Sequence, residues 1–307
     1  MSATPLIDVQ VAMGFVIAQT SIIEPGVYAT RYPDIMYRQL IPVDTSGSEF
    51  ATSVTYLSSD QYGKADWING NSDDVPKAGT TRAQHQTPIH TAGIGYGYGW
   101  EEIGRAQLLG VNLPADDAAA ARRAAEEMVE RVAFYGDEAK GFTGLFDAVP
   151  AVAAPNGDWP NATAAEIVAD LNAMLMNTFN ATGSAGLADT LLIPWARLFH
   201  LSTTPMNANS DTTILQWFTA NNVFTTATGR PLTIRGVRGL DTAGAGDAPR
   251  AVAYRNDPSV LRLHMPMPHR FLPVYQSGPL RWDVPGVMRL GGLDVRLPGE
   301  VTILDGI

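Results

Sequence analysis

The chain contains no cysteine. Disulfides and thiolate metal sites are therefore excluded, and the composition fits folding in a reducing compartment. Lysine is nearly absent too, with Lys64, Lys77 and Lys140 the only three. The balance of 21 basic against 31 acidic residues gives a net charge of −10, so there is no basic footprint for wrapping nucleic acid. The acidic character keeps phosphate from sticking. No apolar run reaches the ~20 residues that a membrane-spanning helix needs. Met1 to Thr20 has no basic segment of the kind that opens a signal peptide. Without that signal, the glycosylation triplets at Asn161 and Asn180 read as chance matches.

Charge of either sign is scarce, at 17% of the residues, where a quarter is usual. The hydrophobic fraction is an ordinary 45% and suffices for a sizeable core. The shortfall in charge points to a surface that meets other protein, or to a large core, which gives the same bias. At 307 residues the chain makes one large domain or two intimately joined ones.

Residues 1 to 43 mix apolar side chains with Pro25, Gly26, Pro33 and Pro42 and sustain no period, which suggests an arm lying on something else. From 44 to 100 two strand-like runs, Glu49 to Ser59 and Arg82 to Trp100, flank a segment rich in turn formers: Gly63, Asn69, Gly70, Asn71, Asp73, Asp74, Pro76 and Gly79. The pattern predicts a long β-hairpin, which cannot bury both faces in its own subunit and so needs a partner surface. In Gly93-Ile-Gly-Tyr-Gly-Tyr-Gly-Trp100 four glycines alternate with four large side chains. As a strand this puts Ile94, Tyr96, Tyr98 and Trp100 on one face and bare backbone on the other, open to close approach by another element. A phosphate-cradling glycine loop is the rival reading, but here aromatics fill the gaps between the glycines and no GK[ST] signature follows.

Pro114, Asp116 and Asp117 open a long alanine-rich helix that runs to Tyr135 and stops at Gly136. Glu127 and Arg131 are spaced for an ion pair on it. Gly141 to Phe146 is a glycine-spaced turn, and Ala148 to Pro160 reads as a linker. Thr163-Ala-Ala-Glu166 is a capping box opening a second helix, with apolar positions at Ile167, Leu171, Met174, Leu175 and Phe179. Thr190 to Leu201 reads as a buried strand with or without a short helix, Ser210 to Asn221 as a short helix, and Leu232 to Val237 and Ala251 to Tyr254 as strands. Short strands broken by prolines run from Leu261 to Ile303.

Chemistry is thinly represented. The pairs His85/His90 and His264/His269 are each five apart, a spacing that places neither pair on one face of a strand or helix. No serine-elbow motif occurs; Ser184 in Thr-Gly-Ser-Ala-Gly comes nearest. Glu101 with Glu102 is an adjacent pair, unsuited to converge on a substrate, and Asp73 with Asp74 lacks calcium-loop spacing. No catalytic, cofactor-binding or metal site is expected.

The order of parts resembles the Hong Kong 97-type major capsid fold of tailed bacteriophages, an α+β fold shared with encapsulin shells. Tyr135-Gly136-Asp137 looks like the end of that family's spine helix, and Gly141-Phe-Thr-Gly-Leu-Phe like the turn after it. Ala188 to Pro194 looks like a core strand of its axial domain, and Met265-Pro-Met-Pro268 through Gly291-Gly-Leu-Asp-Val295 like its returning strands. The resemblance implies an N-terminal arm at 1–43 and an extended loop at 44–100. It further implies a peripheral domain with the spine helix at 101–148, an axial domain at 149–256 and peripheral return strands at 257–307. It implies a structural shell protein, not an enzyme, that forms hexamers and pentamers of itself into an icosahedral head in the host bacterial cytoplasm, and that is found in the virion. Expected partners are a separate scaffolding protein, a portal and a decoration protein, with DNA enclosed without sequence-specific binding and no membrane. Tyr62, Trp67, Tyr96 and Tyr98 are the expected inter-subunit contacts. The alternatives are an encapsulin-like nanocompartment shell and a soluble hydrolase with an unrecognised site.

Overall fold

The computed structural model describes residues 32–67, 75–109 and 113–307, with side chains given outside 105–114. Most of the expected arm and the hairpin tip around Asn69 to Asp74 lie outside the described residues. Ile35–Ile307 hold together as one unit.

In chain order, a single helical turn α1 (Tyr37–Leu40) and strand β1 (Val43–Asp44) precede the hairpin strands β2 (Ser53–Tyr62) and β3 (Gly79–Pro88). Strands β4 (His90–Gly93) and β5 (Tyr96–Gly99) lead into helices α2 (Trp100–Leu109) and α3 (Leu113–Tyr135). After short strands β6 (Gly136–Asp137), β7 (Phe142–Thr143) and β8 (Val152–Ala153) come α4 (Ala164–Ala181), β9 (Thr190–Pro194), α5 (Trp195–Thr203), α6 (Ile214–Asn221) and α7 (Val223–Thr228). Strands β10 (Thr233–Val237), β11 (Arg250–Tyr254), β12 (Leu261–His264), β13 (Met267–Phe271), β14 (Tyr275–Gly278), β15 (Arg281–Val284), β16 (Gly286–Leu290), β17 (Leu293–Val295) and β18 (Val301–Asp305) complete the chain.

The 23 residues of α3 rise about 34 Å. Its buried stripe of Ala125, Val129, Val132 and Ala133 recurs at helical spacing and lets Leu145, Phe146 and Tyr37 pack close. Phe134 stacks on Phe146 with centroids 5.2 Å apart. The helix stops at Gly136, whose φ of +76° and lack of room for a side chain, against the carbonyl of Phe142, demand glycine. Glu127 pairs with Arg123 at 2.9 Å, where the spacing had pointed to Arg131. The Thr163 capping box forms as read, with the Glu166 carboxylate 2.8 Å from the Thr163 amide.

Two five-stranded sheets organise the unit. One has the order β1-β12-β17-β7-β6 and the other β10-β9-β11-β18-β8. The second is a wall between two hydrophobic cores. Leu192, Val252, Tyr254, Val301 and Ile303 face the core that holds α3 and the first sheet. Their strand neighbours Leu191, Ile193, Ala251, Ala253 and Leu304 face the core that holds α4, α6 and α7. Side chains alternate faces along a strand, so each central strand serves both cores.

Three expectations are corrected. The stretch 148–160 is not a free linker: β8 pairs in parallel with β18, and Trp159 is fully buried with its indole N–H donating to Asp170 at 3.1 Å. Residues 301–305, grouped by sequence with the returning strands, instead lie between β11 and β8 in the second sheet. The paired hairpin covers Ser53 to Pro88, not the whole of 44–100.

Arg250 pins these parts together. Its side chain is 7% exposed, with Nε 2.5 Å from Asp305, Nη2 2.9 Å from the same carboxylate, and Nη1 donating to the Phe146 carbonyl and to Asp147. Removing one side of a buried pair strands the other charge. Arg250→Ala should therefore cost about 3–5 kcal/mol of unfolding free energy, read by urea denaturation. A loss within 0.5 kcal/mol (about the noise of a surface change) would mean that the pin is dispensable.

Candidate assembly surfaces

The hairpin follows from composition. Its ladder runs from Ser53 opposite Pro88 to Tyr62 opposite Gly79, ten residues a side or about 34 Å. Serine, threonine and glutamine fill half of the positions, so neither face has the apolar density to fold back on a core. The two strands form a sheet of their own and are largely exposed. Large apolar side chains nevertheless stand in solvent along it: Leu57 at 69% exposure, Tyr62 at 62%, and Trp67, just past the ladder, wholly exposed. Isolated exposed apolar residues are ordinary, but a tryptophan, a tyrosine and a leucine on one projecting ribbon make a surface suited to burial by another molecule.

The four residues expected at subunit contacts thus separate into two groups. Tyr62 and Trp67 lie on or beside the projecting ladder. Tyr96 and Tyr98 lie on β5, which pairs with β15 at the hairpin's base, and they are half-buried in their own chain. Tyr96 meets Phe271 edge-on at 5.1 Å and Tyr98 at 5.9 Å, and the Arg122 guanidinium of α3 lies 5.5 Å from the Phe271 ring.

The alternating glycines allow this base to form. Side chains added at Gly93 and Gly95 would strike the carbonyls of Gly286 and Val284, and one at Gly97 would strike the Asp283 carboxylate. The bare face read from the sequence is thus used for close approach, and the approaching element is the chain's own Val284 to Gly286. The register changes there: β4 pairs with β16 and β5 with β15.

Exposed apolar residues stand in two further groups, of which the sequence singles out only Trp100, as part of the face with Tyr96 and Tyr98. Trp100, Leu280, Tyr275 and Val274 are exposed near the outer end of the β14-β15-β5 sheet, where the Trp100 amide donates to the Leu280 carbonyl at 2.9 Å. Trp195 and Phe199, tilted rings 5.6 Å apart, are exposed on α5. A periodic sequence pattern marks which residues are apolar but not which face lacks a cover. The usable signal was their placement beside Gly-Pro turns and helix starts.

Among the described residues no cluster of three or more histidines and carboxylates could hold a metal, and no helix is long and apolar enough to cross a membrane. His264 is buried between Asp44 on β1 and Asp294 on β17, 3.6 and 3.5 Å away. Asp44 also accepts from the Ser46 hydroxyl at 2.6 Å and amide at 3.0 Å. These bonds, foremost the hydroxyl's, hold its carboxyl down to about 2. Cavities of about 310 Å³ lie beside the end of α3 and beside Phe224. Both are open to solvent, and neither gathers a convergent set of catalytic groups.

Residues 63–307, or 245 of the 307, match a family model described as major capsid protein. The chain belongs to the major capsid protein family. Its architecture is the Hong Kong 97-type capsid fold. The structure titled the capsid of Myoviridae phage XM1 superposes with a TM-score of 0.81 at 17% identity, covering 94% of this chain and 98% of that one. The capsid of an empty GTA particle gives 0.68 at 13% identity over 98% and 99%, and a chain of Mycobacterium phage Bobi gives 0.64 at 13% over 94% and 96%. Among curated proteins, sequence comparison finds no match. The capsid protein's role is structural, it self-assembles into a shell, and its place is the virion.

This geometry sets the expected outcome of three substitutions. Gly286→Ala places a methyl against the Ile94 carbonyl and the His269 ring and should destabilise by about 1–3 kcal/mol. Gly104→Ala, at an exposed position of α2 with nothing within 4 Å of the new carbon, should gain about 0.4–1 kcal/mol; calorimetry on the two variants reads both signs. The depressed Asp44 carboxyl gives stability that is complete above its unfolded value near 4 and is lost as the pH falls through about 2. Ser46→Ala should therefore lower the urea midpoint at pH 5 and 6, with the difference vanishing towards pH 2. A difference that grows on acidification would contradict the assignment.

Proposed function

We propose that this capsid protein builds a closed icosahedral head from hexamers and pentamers, each hairpin lying over an adjacent subunit. The observation that carries the reading is the hairpin itself, a ladder outside both cores with Leu57, Tyr62 and Trp67 exposed on or beside it. Burying a large aromatic contributes on the order of 2 kcal/mol. Repeated around a shell, contacts of that size add to a stable assembly while each remains weak enough to be corrected. Tyr62 and Trp67 are the contact residues on the ribbon, and Tyr96 and Tyr98 support its base and offer their remaining exposed edges.

In this reading residues 1–43 are the arm and 44–100 the extended loop. Residues 101–148 and most of 257–307 form the peripheral domain, and 149–256 with the strand 301–305 form the axial domain around which capsomers close. The head encloses DNA, with the net charge of −10 and three lysines giving phosphate little to bind. A separate scaffolding protein directs closure in the host cytoplasm, a portal occupies one vertex, and a decoration protein covers the outside. No catalytic step belongs to it.

Electron microscopy of the purified full-length chain, alone and co-expressed with a scaffolding protein, tests the reading. Closed particles or flat hexagonal sheets are expected, and a homogeneous monomer under both conditions would refute it. Deleting 63–79 should leave soluble subunits that do not close; intact shells from that variant would refute the hairpin's role.

A further inference from the structure

The hairpin leaves the body on two strands, and among the described residues its ladder pairs with no third one. A side-chain stack nevertheless ties its inner half to the first sheet. Tyr56 on β2 stacks on its cross-strand partner His85, centroids 4.9 Å apart and planes 16° apart, with the Ser58 hydroxyl 3.1 Å from the His85 ring nitrogen Nε2. The Arg296 guanidinium lies 5.0 Å from the Tyr56 ring centroid.

Arg296 is itself held from behind. Its amide donates to the Val260 carbonyl at 2.7 Å, and its Nε is 3.4 Å from the buried Asp294 carboxylate. Behind Asp294 stands His264, then Asp44, then Arg262, each 3.2 to 3.6 Å from the last. A row of alternating groups thus runs from the interior of the first sheet to the hairpin's root. Arginine suits its outer end because a planar, weakly hydrated cation can lie against an aromatic ring.

We infer that Tyr56 and Arg296 are positioning residues that fix the direction in which the hairpin leaves the subunit. Its bearing on shell formation rests on the reading that the hairpin covers a neighbour. A ribbon about 34 Å long turns a small change of angle at its root into a displacement of many ångströms at Trp67. Without the stack the subunit would keep its two cores, to which neither residue belongs, and would present the ribbon over a range of angles.

The absence of cysteine allows a direct test. Cysteines introduced at exposed Gln84 and Ala139 in the full-length chain carry spin labels, and the distance distribution is recorded on unassembled subunits. Tyr56→Phe keeps the ring and should keep the distribution. Tyr56→Ala should broaden it, leave the unfolding midpoint unchanged, and raise the critical concentration for shell assembly about two- to fivefold, the scale of an exposed cation–π contact. Arg296→Ala should broaden it as well, but it also strips a partner from buried Asp294, so Tyr56→Ala is the decisive variant. A distribution in Tyr56→Ala as narrow as in the parent, or one in Tyr56→Phe as broad as in Tyr56→Ala, overturns the inference. Intact shells from the hairpin deletion would instead overturn the covering role and leave the distance result standing.

Discussion

The constraint on which the structure depends is that the strands of the second sheet must satisfy two interiors at once. β9 reads Thr-Leu-Leu-Ile-Pro and is buried throughout, with Leu192 turned to one core and Leu191 and Ile193 to the other. A strand buried on both faces cannot alternate polar with apolar residues, so it reads as a continuous apolar run. A one-residue slip would exchange the two sets of side chains and spoil both cores together. The position of α3, the docking of the α4, α6 and α7 helices and the site of the Arg250 pin all follow from that wall.

The hairpin obeys the opposite rule. Its strands carry hydroxyls and amides on both faces, pair among the described residues only with each other, and commit almost nothing to either core. Such a ribbon is marginal as an isolated object and useful as a contact surface. The same chain thus holds a rigid part specified by dense burial and a projecting part specified by its lack. The low charge content belongs with the second: a subunit surrounded by copies of itself needs fewer solvated charges than a lone one, because like charges repeated at every contact would repel.

Local signals in the sequence were read well where the physics is local. Thr163 with Glu166, the acidic start of α3 and Gly136 at its end are decided by groups within four residues of one another, and the structure places the helices accordingly. The hairpin's inner limit was misjudged because strand character continues from Arg82 to Trp100 with only Pro88 to mark a break, whereas the partner strand changes between Ile89 and Tyr96. That change is dictated by Val284 to Gly286, nearly two hundred residues away. Trp159 and Val152 sit in a stretch whose alanines and prolines give no period, and their anchoring depends on Asp170 and Leu304. Tyr96 and Tyr98 were recognised as a shared face, but Phe271, which covers part of it, lies in another strand. For the contact residues, composition showed which aromatics were unusual, and only tertiary structure showed which of them remain uncovered.

The placement of β18 bears on how the chain comes to be folded. Leu304 pairs with Val152, 152 positions away, and with Ala251 on its other side. Contacts so distant in sequence form late, because the loop they close must be ordered before any reward is gained. Until β18 arrives, the inner edge of β11 is an open strand edge beside an incomplete apolar wall, a state prone to pair wrongly with other copies. A protein that self-associates therefore passes through a stage at which indiscriminate association is its main hazard. Completion of the wall converts that adhesive intermediate into a subunit whose remaining apolar surface is confined to defined places.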